Sequence, residues 1–390
     1  MNPLDFHNER YYNTGMGNLQ FLKRIDLRLV GLLFSLMLIS LLVISSSTTE
    51  VGDFDLIHFF TSAVKKQIQF FTLGWALFFL LSSLDYNKLR EWTWILYLGM
   101  ILLLLGLFVA PSIQNVHRWY RIGGIAFQPS EYAKLIVVLA LSWFLDRRGA
   151  KAKRYSSALG ALAIMGVPFL LILKQPDLGT ALVLFPITLV IFYLGGIKKR
   201  VVGVMAALGL VGFACISLFF LGIVDHEEMR PVATKFLKDY QYERFNPHTY
   251  HQTAAQTAIA LGKFTGAGWQ KSTFTKGEWL PAAHTDSVFP AFAEEFGLLG
   301  TIFLLGIFFG LIYVSFQVTI VAKDRFGRLL SAGIAIYLAM HIVVNLGMMC
   351  GFLPITGVPL VMISYGGSSI LANMSALGIL QSIYSRRFTF

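Results

Sequence analysis

Three carboxylates, Glu131, Asp177 and Asp286, lie in short polar runs at the ends of long apolar stretches, and the first of these runs also holds Arg118, Arg121 and Lys134. Carboxylates take up protons or hold cations, and guanidinium and ammonium groups face anions. A charged side chain costs about 2.5–3.5 kcal/mol at the centre of a membrane helix, so ionisable residues in such a setting are functional candidates by default. The first run reads Gln114-Asn115-Val116-His117-Arg118-Trp119-Tyr120-Arg121, then Phe127-Gln128-Pro129-Ser130-Glu131-Tyr132-Ala133-Lys134. Ser130 is expected to cap the helix that follows. Glu131 and Lys134, at i and i+3, share one face of it and form either a self-satisfied ion pair or a polar patch facing a cavity. In Lys174-Gln175-Pro176-Asp177-Leu178-Gly179-Thr180, Asp177 either complements the dipole of the helix it opens or stands at a cavity mouth.

The third run is His284-Thr285-Asp286-Ser287-Val288-Phe289-Pro290, followed by Glu294 and Glu295. Proline favours the first helical position, which starts the helix near Pro290 and leaves His284, Thr285 and Asp286 on irregular backbone. At membrane depth such backbone is tolerated only where it is buried in protein or lines a wet cavity, so Asp286 is expected to be functional. Glu294 and Glu295 read as interfacial or helix-packing residues. Gly351–Pro359 and Ser364–Ser369, rich in small residues, read as close helix packing. His341 and Asn345, one turn apart, read as a pair bonded to each other.

The elements that must position these residues follow from composition. Apolar residues make up 56% of the 390 residues and charged residues 14%, against roughly 25% charged in soluble domains. So few charges cannot cover a soluble surface, and disorder, collagen, coiled coil and small disulfide scaffolds are excluded. Apolar runs near the ~20 residues of a bilayer-crossing helix occur at 29–47, 68–84, 92–110, 131–145, 156–173, 178–195, 201–223, 289–317, 329–349 and 357–383. They lack the period-two alternation of barrel strands. The expected fold is an all-α polytopic membrane protein with ten transmembrane helices and a long extracytoplasmic segment between spans seven and eight. The chain divides into a cytoplasmic N-terminal segment (1–28), one membrane domain (29–385) containing the extracytoplasmic segment 224–288, and a cytoplasmic tail (386–390). Span four has an apolar stretch of only about 15 residues, roughly 22 Å, which places Glu131 and Lys134 below the outer surface.

With the N-terminus inside, the inner segments carry nineteen Lys and Arg and the outer short loops six, as the positive-inside rule requires. Both termini are then cytoplasmic, and span one is an uncleaved signal anchor. Segment 224–288 balances seven basic against seven acidic residues, so the net charge of +11 reflects anchoring against anionic lipid rather than nucleic-acid binding. Val232, Phe236, Leu237, Tyr240 and Phe245 suggest an amphipathic helix on the outer leaflet, and Asp225-His226-Glu227-Glu228 a solvated acidic cluster. Cys215 and Cys350 are expected as buried free thiols. There is no CxxC, HExxH, Walker A or GxGxxG motif.

Taken in order, Arg118-Trp119, Gln128-Pro129-Ser130-Glu131, Gln175-Pro176-Asp177-Leu178-Gly179-Thr180, His284-Thr285-Asp286, Gly357-Val358-Pro359-Leu360 and Ser364-Tyr365-Gly366-Gly367-Ser368 resemble the SEDS family (shape, elongation, division, sporulation) over about 29–383. The Gly357–Leu360 run is more similar to the RodA branch than to FtsW. Two features depart from the family: Ala282 stands where RodA-like members usually have Glu, and the turn near Gly262–Gly268 is shorter than usual. The resemblance implies a peptidoglycan glycosyltransferase of the bacterial inner membrane, active at its periplasmic face. It would polymerise lipid II into glycan strands for cell elongation and shape, inverting an α-linked donor to a β-1,4 link, with Asp286 as general base. Arg118, Arg121 and Lys134 are then candidates for the lipid pyrophosphate, and Trp119, Gln128, Ser130, Glu131, Asp177, His284 and Thr285 complete the substrate-binding set. A divalent cation such as Mg2+ or Mn2+, held by Asp177 or Glu131, is a candidate addition. A class B penicillin-binding protein transpeptidase and other elongation-complex membrane proteins are the implied partners. Two competing readings of the same charges are a lipid II flippase and a non-catalytic scaffold for a transpeptidase. A flippase would need polar groups reachable from both sides, whereas the candidates cluster at outer span ends.

Overall fold

The computed structural model describes residues 24–49, 59–110, 118–122, 125–235 and 239–388. Gln114–His117, most of the N-terminal segment, and Phe236 and Leu237 of the expected surface helix lie outside the described residues. Among the described residues, ten long helices lie at the apolar runs: α1 (Leu27–Thr48), α2 (Ser62–Ser83), α3 (Tyr86–Gly106), α4 (Pro129–Arg148), α5 (Tyr155–Lys174), α6 (Leu178–Leu194), α7 (Lys199–Phe220), then, after an intervening segment, α10 (Val288–Val321), α11 (Arg325–Met349) and α12 (Gly367–Ser385). The intervening segment contributes α8 (His226–Ala233) and α9 (Tyr250–Leu261). Six of the long helices have both the length and the hydropathy to cross a bilayer, and the 17-residue α6 is a shorter apolar helix. The protein is an all-α polytopic membrane protein.

Local chemistry explains where the helices begin. Asp26, Thr61, Asp85, Asp177, Thr249 and Asp324 each cap a helix with a side-chain oxygen that accepts a free backbone N–H. α4 starts differently: Pro129 takes the first helical position, where its missing N–H costs nothing, and Gln128 rather than Ser130 precedes it. The Ser130 hydroxyl is thereby freed for a contact across the site. α4 has 20 residues, not 15, because its polar first and last turns are helical too. Near the 1.5 Å rise per residue that makes roughly 30 Å, a full bilayer core.

The last long helix, α12, starts at Gly367, ten residues after its apolar run begins, because Gly357–Gly366 is irregular. Sequence hydropathy did not anticipate the antiparallel hairpin β1 (Tyr120–Ile122) and β2 (Ile125–Phe127), which pairs Arg121 with Ala126. The expected outer amphipathic helix appears as separate pieces, α8 and a short turn over Asp239–Tyr242.

Packing sets the centre. α12 is buried along almost its whole length and lies against α2, where Gly378 and Gly74 permit close approach; a Cβ on Gly378 would sit 2.9 Å from the Phe78 carbonyl oxygen. At the periphery α7 buries only Met205, and Leu208, Leu210, Val211 and Phe213 are exposed. Together with Leu98 and Leu102 of α3 and Phe303 and Phe309 of α10 they form an apolar belt that suits lipid. Cys215 is exposed on α7 for the same reason, against expectation, and both cysteines are free thiols.

α10 is broken at Gly297 (φ 62, ψ −162). The turn 263–268 fills the break: Lys263 and Phe264 carbonyls accept from the Leu298 and Leu299 N–H groups, and the Glu294 and Glu295 carbonyls accept from Ala267 and Gly268. Only glycine fits at 266, where a Cβ would lie 2.1 Å from the Glu295 carbonyl oxygen. The Glu294 and Glu295 side chains hold the adjoining segment. Glu294 accepts from the Phe274 and Thr275 N–H groups and the Thr275 hydroxyl, and Glu295 from the Gln270 N–H and the Ser272 and Ser46 hydroxyls. Five of these six bonds go to 270–275, so both carboxylates chiefly anchor that segment, and only the Ser46 bond joins Glu295 to another long helix.

Candidate active site

A cavity of about 570 Å³ lies at the end of the bundle where α2, α4, α6, α10 and α12 begin. Each helix N-terminus carries a positive partial charge, and the first turns of α4, α6 and α12 and the residues just before α10 line the cavity, so four such ends converge there. Three carboxylates, Glu131, Asp177 and Asp286, and two cations, Lys66 and Arg118, are among its walls. Trp119 and Gln128 flank the hairpin on one side, and Gly357–Pro359 and Tyr365–Ser369 close the other.

Asp177 has two duties. Its Oδ1 accepts from the Thr180 N–H as helix cap (3.2 Å), and its Oδ2 accepts from the hydroxyls of Thr180 and Ser130 (2.9 Å each) and the Gln128 amide (3.3 Å). This ties the starts of α4 and α6 together through one carboxylate. Arg118 donates from Nε to the Gln175 carbonyl (2.9 Å) and from Nη2 to the Pro176 carbonyl, which fixes its positive charge at the rim.

Asp286 stands on the loop before α10. That helix begins at Val288, two residues before the expected Pro290, with Ser287 at the cap position; Pro290 is third in the helix, still among the residues whose N–H needs no partner. The first intrahelical bond runs from Ala291 to Ser287 (3.2 Å). The loop is pinned from every side. The Ala282 carbonyl accepts from Thr285 (3.0 Å) and Ser287 (3.1 Å), the Thr285 carbonyl from Ser364 Oγ (2.7 Å), the His284 carbonyl from Tyr365 N–H (2.8 Å), and the Asp286 carbonyl from Asn345 Nδ2 (3.1 Å). Ala282 has φ 52 and holds the loop through its backbone carbonyl. Gly357, at φ +73, abuts the carboxylate: a Cβ there would lie 3.3 Å from Asp286 Oδ2. Burial pushes the Asp286 pKa above its usual 3.8; the Arg118 charge opposes that shift, and the Asp177 charge adds to it. His284 and His251 are pushed down by burial.

Of the residues singled out in sequence, Arg118, Trp119, Gln128, Glu131, Asp177, Thr285 and Asp286 line the cavity. Ser130 reaches it through Asp177. Lys134 is not in the wall: it lies underneath, paired with Glu131 at 2.8 Å. The His284 ring packs edge-on against Tyr365, with centroids 5.7 Å apart. Arg121 is exposed on β1 and does not line the cavity. His341 and Asn345 do not bond each other; His341 reaches Lys134 (2.7 Å), and Asn345 reaches the carbonyls of Asp286 and Val358. Sequence reasoning took Lys66, beside Lys65 and Gln67, as a loop charge, passed over Phe70, and read Ser368 and Ser369 as packing although they also line the wall.

The donor set does not suit a resident divalent cation. Both Asp177 oxygens already accept hydrogen bonds, one Glu131 oxygen accepts from Lys134, and among the described residues no three His, Cys, Asp or Glu side chains are placed to hold one metal ion.

The family model of the cell cycle proteins FtsW, RodA and SpoVE matches residues 27–388. The chain belongs to this family. It is 31% identical over 365 residues to the peptidoglycan glycosyltransferase MrdB of Escherichia coli K12, covering 93% of this chain and 94% of that one. It is 30% identical over 381 residues to a probable peptidoglycan glycosyltransferase FtsW of Geobacter metallireducens, covering 95% and 97%. Among solved structures, a chain of a peptidoglycan synthase complex that coordinates polymerisation and crosslinking matches with a TM-score of 0.73 at 29% identity, covering 94% of this chain and 99% of that one. The rod shape determining protein RodA of Thermus thermophilus matches at 0.67 and 28%, covering 94% and 98%.

Proposed function

We propose that this chain is a peptidoglycan glycosyltransferase that polymerises lipid II, with Asp286 as the general base. The observation that carries the assignment is the environment of Asp286: a half-buried carboxylate of raised proton affinity in the wall of a cavity that also holds two cations. A sugar hydroxyl is a poor nucleophile, and a carboxylate of raised pKa takes its proton better than an ordinary one. The acceptor oxygen attacks the anomeric carbon of the donor, and the bond from that carbon to the pyrophosphate oxygen breaks. The proton passes to Asp286, and the configuration inverts in one displacement. No covalent sugar–enzyme intermediate is needed. The departing lipid pyrophosphate is already an anion, so it needs cations rather than an acid, and Arg118 and Lys66 with the converging helix ends supply them.

Ten spans, cytoplasmic termini and an outward-facing cavity complete the reading. In its support, the cavity lies at the helix ends opposite Arg147, Arg148, Lys198–Arg200, Arg325 and Arg386, the basic side expected inside. The cavity's charged walls come from one end of the bundle, which favours a polymerase over a flippase. The relatives named above make a transpeptidase the expected partner. The test is lipid II polymerisation by purified protein. Asp286→Asn and Asp286→Ala are expected to be folded and to make glycan about 10²–10⁴-fold more slowly; glycan at the wild-type rate from either removes the assignment. In proteoliposomes, transfer of labelled lipid II across the bilayer without polymer would favour the flippase.

A further inference from the structure

Beneath the cavity, α4 and α11 bury a chain of three ionisable groups. Lys134 is 1% exposed, with Nζ 2.8 Å from Glu131 Oε1 and 2.7 Å from His341 Nε2. The ammonium also lies 5.6 Å from the centroid of the Tyr337 ring. An ammonium only donates, so His341 Nε2 is the acceptor and the imidazole is neutral, with its proton on Nδ1. Glu131 lines the cavity at 3% exposure, and its Oε2 has no hydrogen-bond partner. A buried carboxylate oxygen left unpaired is costly.

The geometry accounts for why that oxygen is left open. A lysine facing a carboxylate alone is free to swing between its two oxygens. His341 draws the ammonium to one side and confines it to Oε1. One turn further along α11, Asn345 donates to the Asp286 carbonyl at 3.1 Å and the Val358 carbonyl at 2.8 Å. One helix face thus sets two carboxylate-bearing walls of the same cavity.

We infer that His341 is a positioning residue which, by holding Lys134 on Oε1 of Glu131, keeps Oε2 open as an acceptor for a hydroxyl or amide N–H of the sugar headgroup. This rests on the reading of the cavity as the lipid II site. The lipid pyrophosphate is excluded as the partner of that oxygen because both are anionic, and Lys66 and Arg118 are the groups suited to it. No proton or bond changes hands here, so the effect falls on substrate affinity and not on the chemical step.

The test uses the full-length purified chain with His341→Leu, His341→Gln and Glu131→Gln. Steady-state polymerisation gives KM and kcat, and lipid II binding is measured with each change placed in an Asp286→Asn background. His341→Leu is expected to raise both KM and the binding Kd about tenfold, the worth of one charge-assisted hydrogen bond. Its kcat should stay within about twofold, since the transition-state contacts are elsewhere. His341→Gln, whose amide oxygen can take the lysine hydrogen, should recover most of the affinity. Combining Glu131→Gln with His341→Leu should add nothing beyond either change alone. Unchanged KM and Kd in His341→Leu overturn the inference. So does a loss of kcat and Tm that glutamine does not rescue, which marks a packing role. A wild-type chain that binds lipid II but makes no glycan ends the polymerase reading, and the binding measurements still decide the role of His341. A chain that neither binds nor polymerises lipid II overturns both.

Discussion

Asp286 ties reactivity to a cost in stability. Its raised proton affinity means that the folded state holds the proton more tightly than the unfolded chain, so ionising it opposes folding once the pH exceeds the ordinary 3.8. Activity needs the ionised form. The acid limb of the pH–rate profile is therefore expected above the normal carboxylate range, with activity falling as pH drops through it. Arg118→Met removes the one charge that lowers this pKa and should move the limb up, and Asp177→Asn removes a charge that raises it and should move the limb down. Opposite or absent shifts would remove the assignment of that limb to Asp286. Asp286→Asn should lose about 10²–10⁴-fold in kcat, the usual worth of a general base, while its Tm at neutral pH stays level or rises, because a partly desolvated charge has been deleted. A thermal melt beside a kinetic assay checks both.

At the scale of elements, the break in α10 and the turn that fills it form one unit. Gly266→Ala would set a Cβ against the Glu295 carbonyl on a backbone with φ +81, at a cost of about 1–3 kcal/mol. The expected outcome is a lower Tm and faster proteolysis within 263–276, read by mass spectrometry of the cut sites. An unchanged digestion pattern would show that the turn does not depend on this packing. His251, on α9, bonds Ser287 at 2.7 Å and so links the outer segment to the loop of Asp286. His251→Ala should lower kcat severalfold and leave KM nearly unchanged, since it touches the base's loop and no wall of the cavity.

For the whole molecule, the orientation can be tested directly. In a chain with Cys215 and Cys350 replaced by alanine, a cysteine at Glu278 should react with a membrane-impermeant maleimide added outside intact cells without outer membranes. A cysteine at Lys151 should react only after the cells are opened. The reverse pattern would invert the topology and place the cavity on the cytoplasmic side.

The helices were legible in the sequence because a bilayer demands about 20 apolar residues per crossing and caps mark their starts. α1, α5 and α7 appear within a few residues of their apolar runs. Where the apolar run and the helix part company, as in α4 and at the start of α12, buried polar groups or irregular backbone are the cause. The candidate site was legible wherever an ionisable side chain interrupted a span, as with Arg118, Glu131, Asp177 and Asp286. Chain order alone could not say which of those charges shares a space with which. Lys134 looked like a cavity residue by spacing, yet His341, 207 residues away, holds it underneath. Lys66 looked like a loop charge, yet the start of α2 swings it into the wall. Composition and periodicity report what a residue needs, apolar surroundings or a polar partner. Which partner meets that need is a long-range contact, and only the packing of helices far apart in the chain decides it.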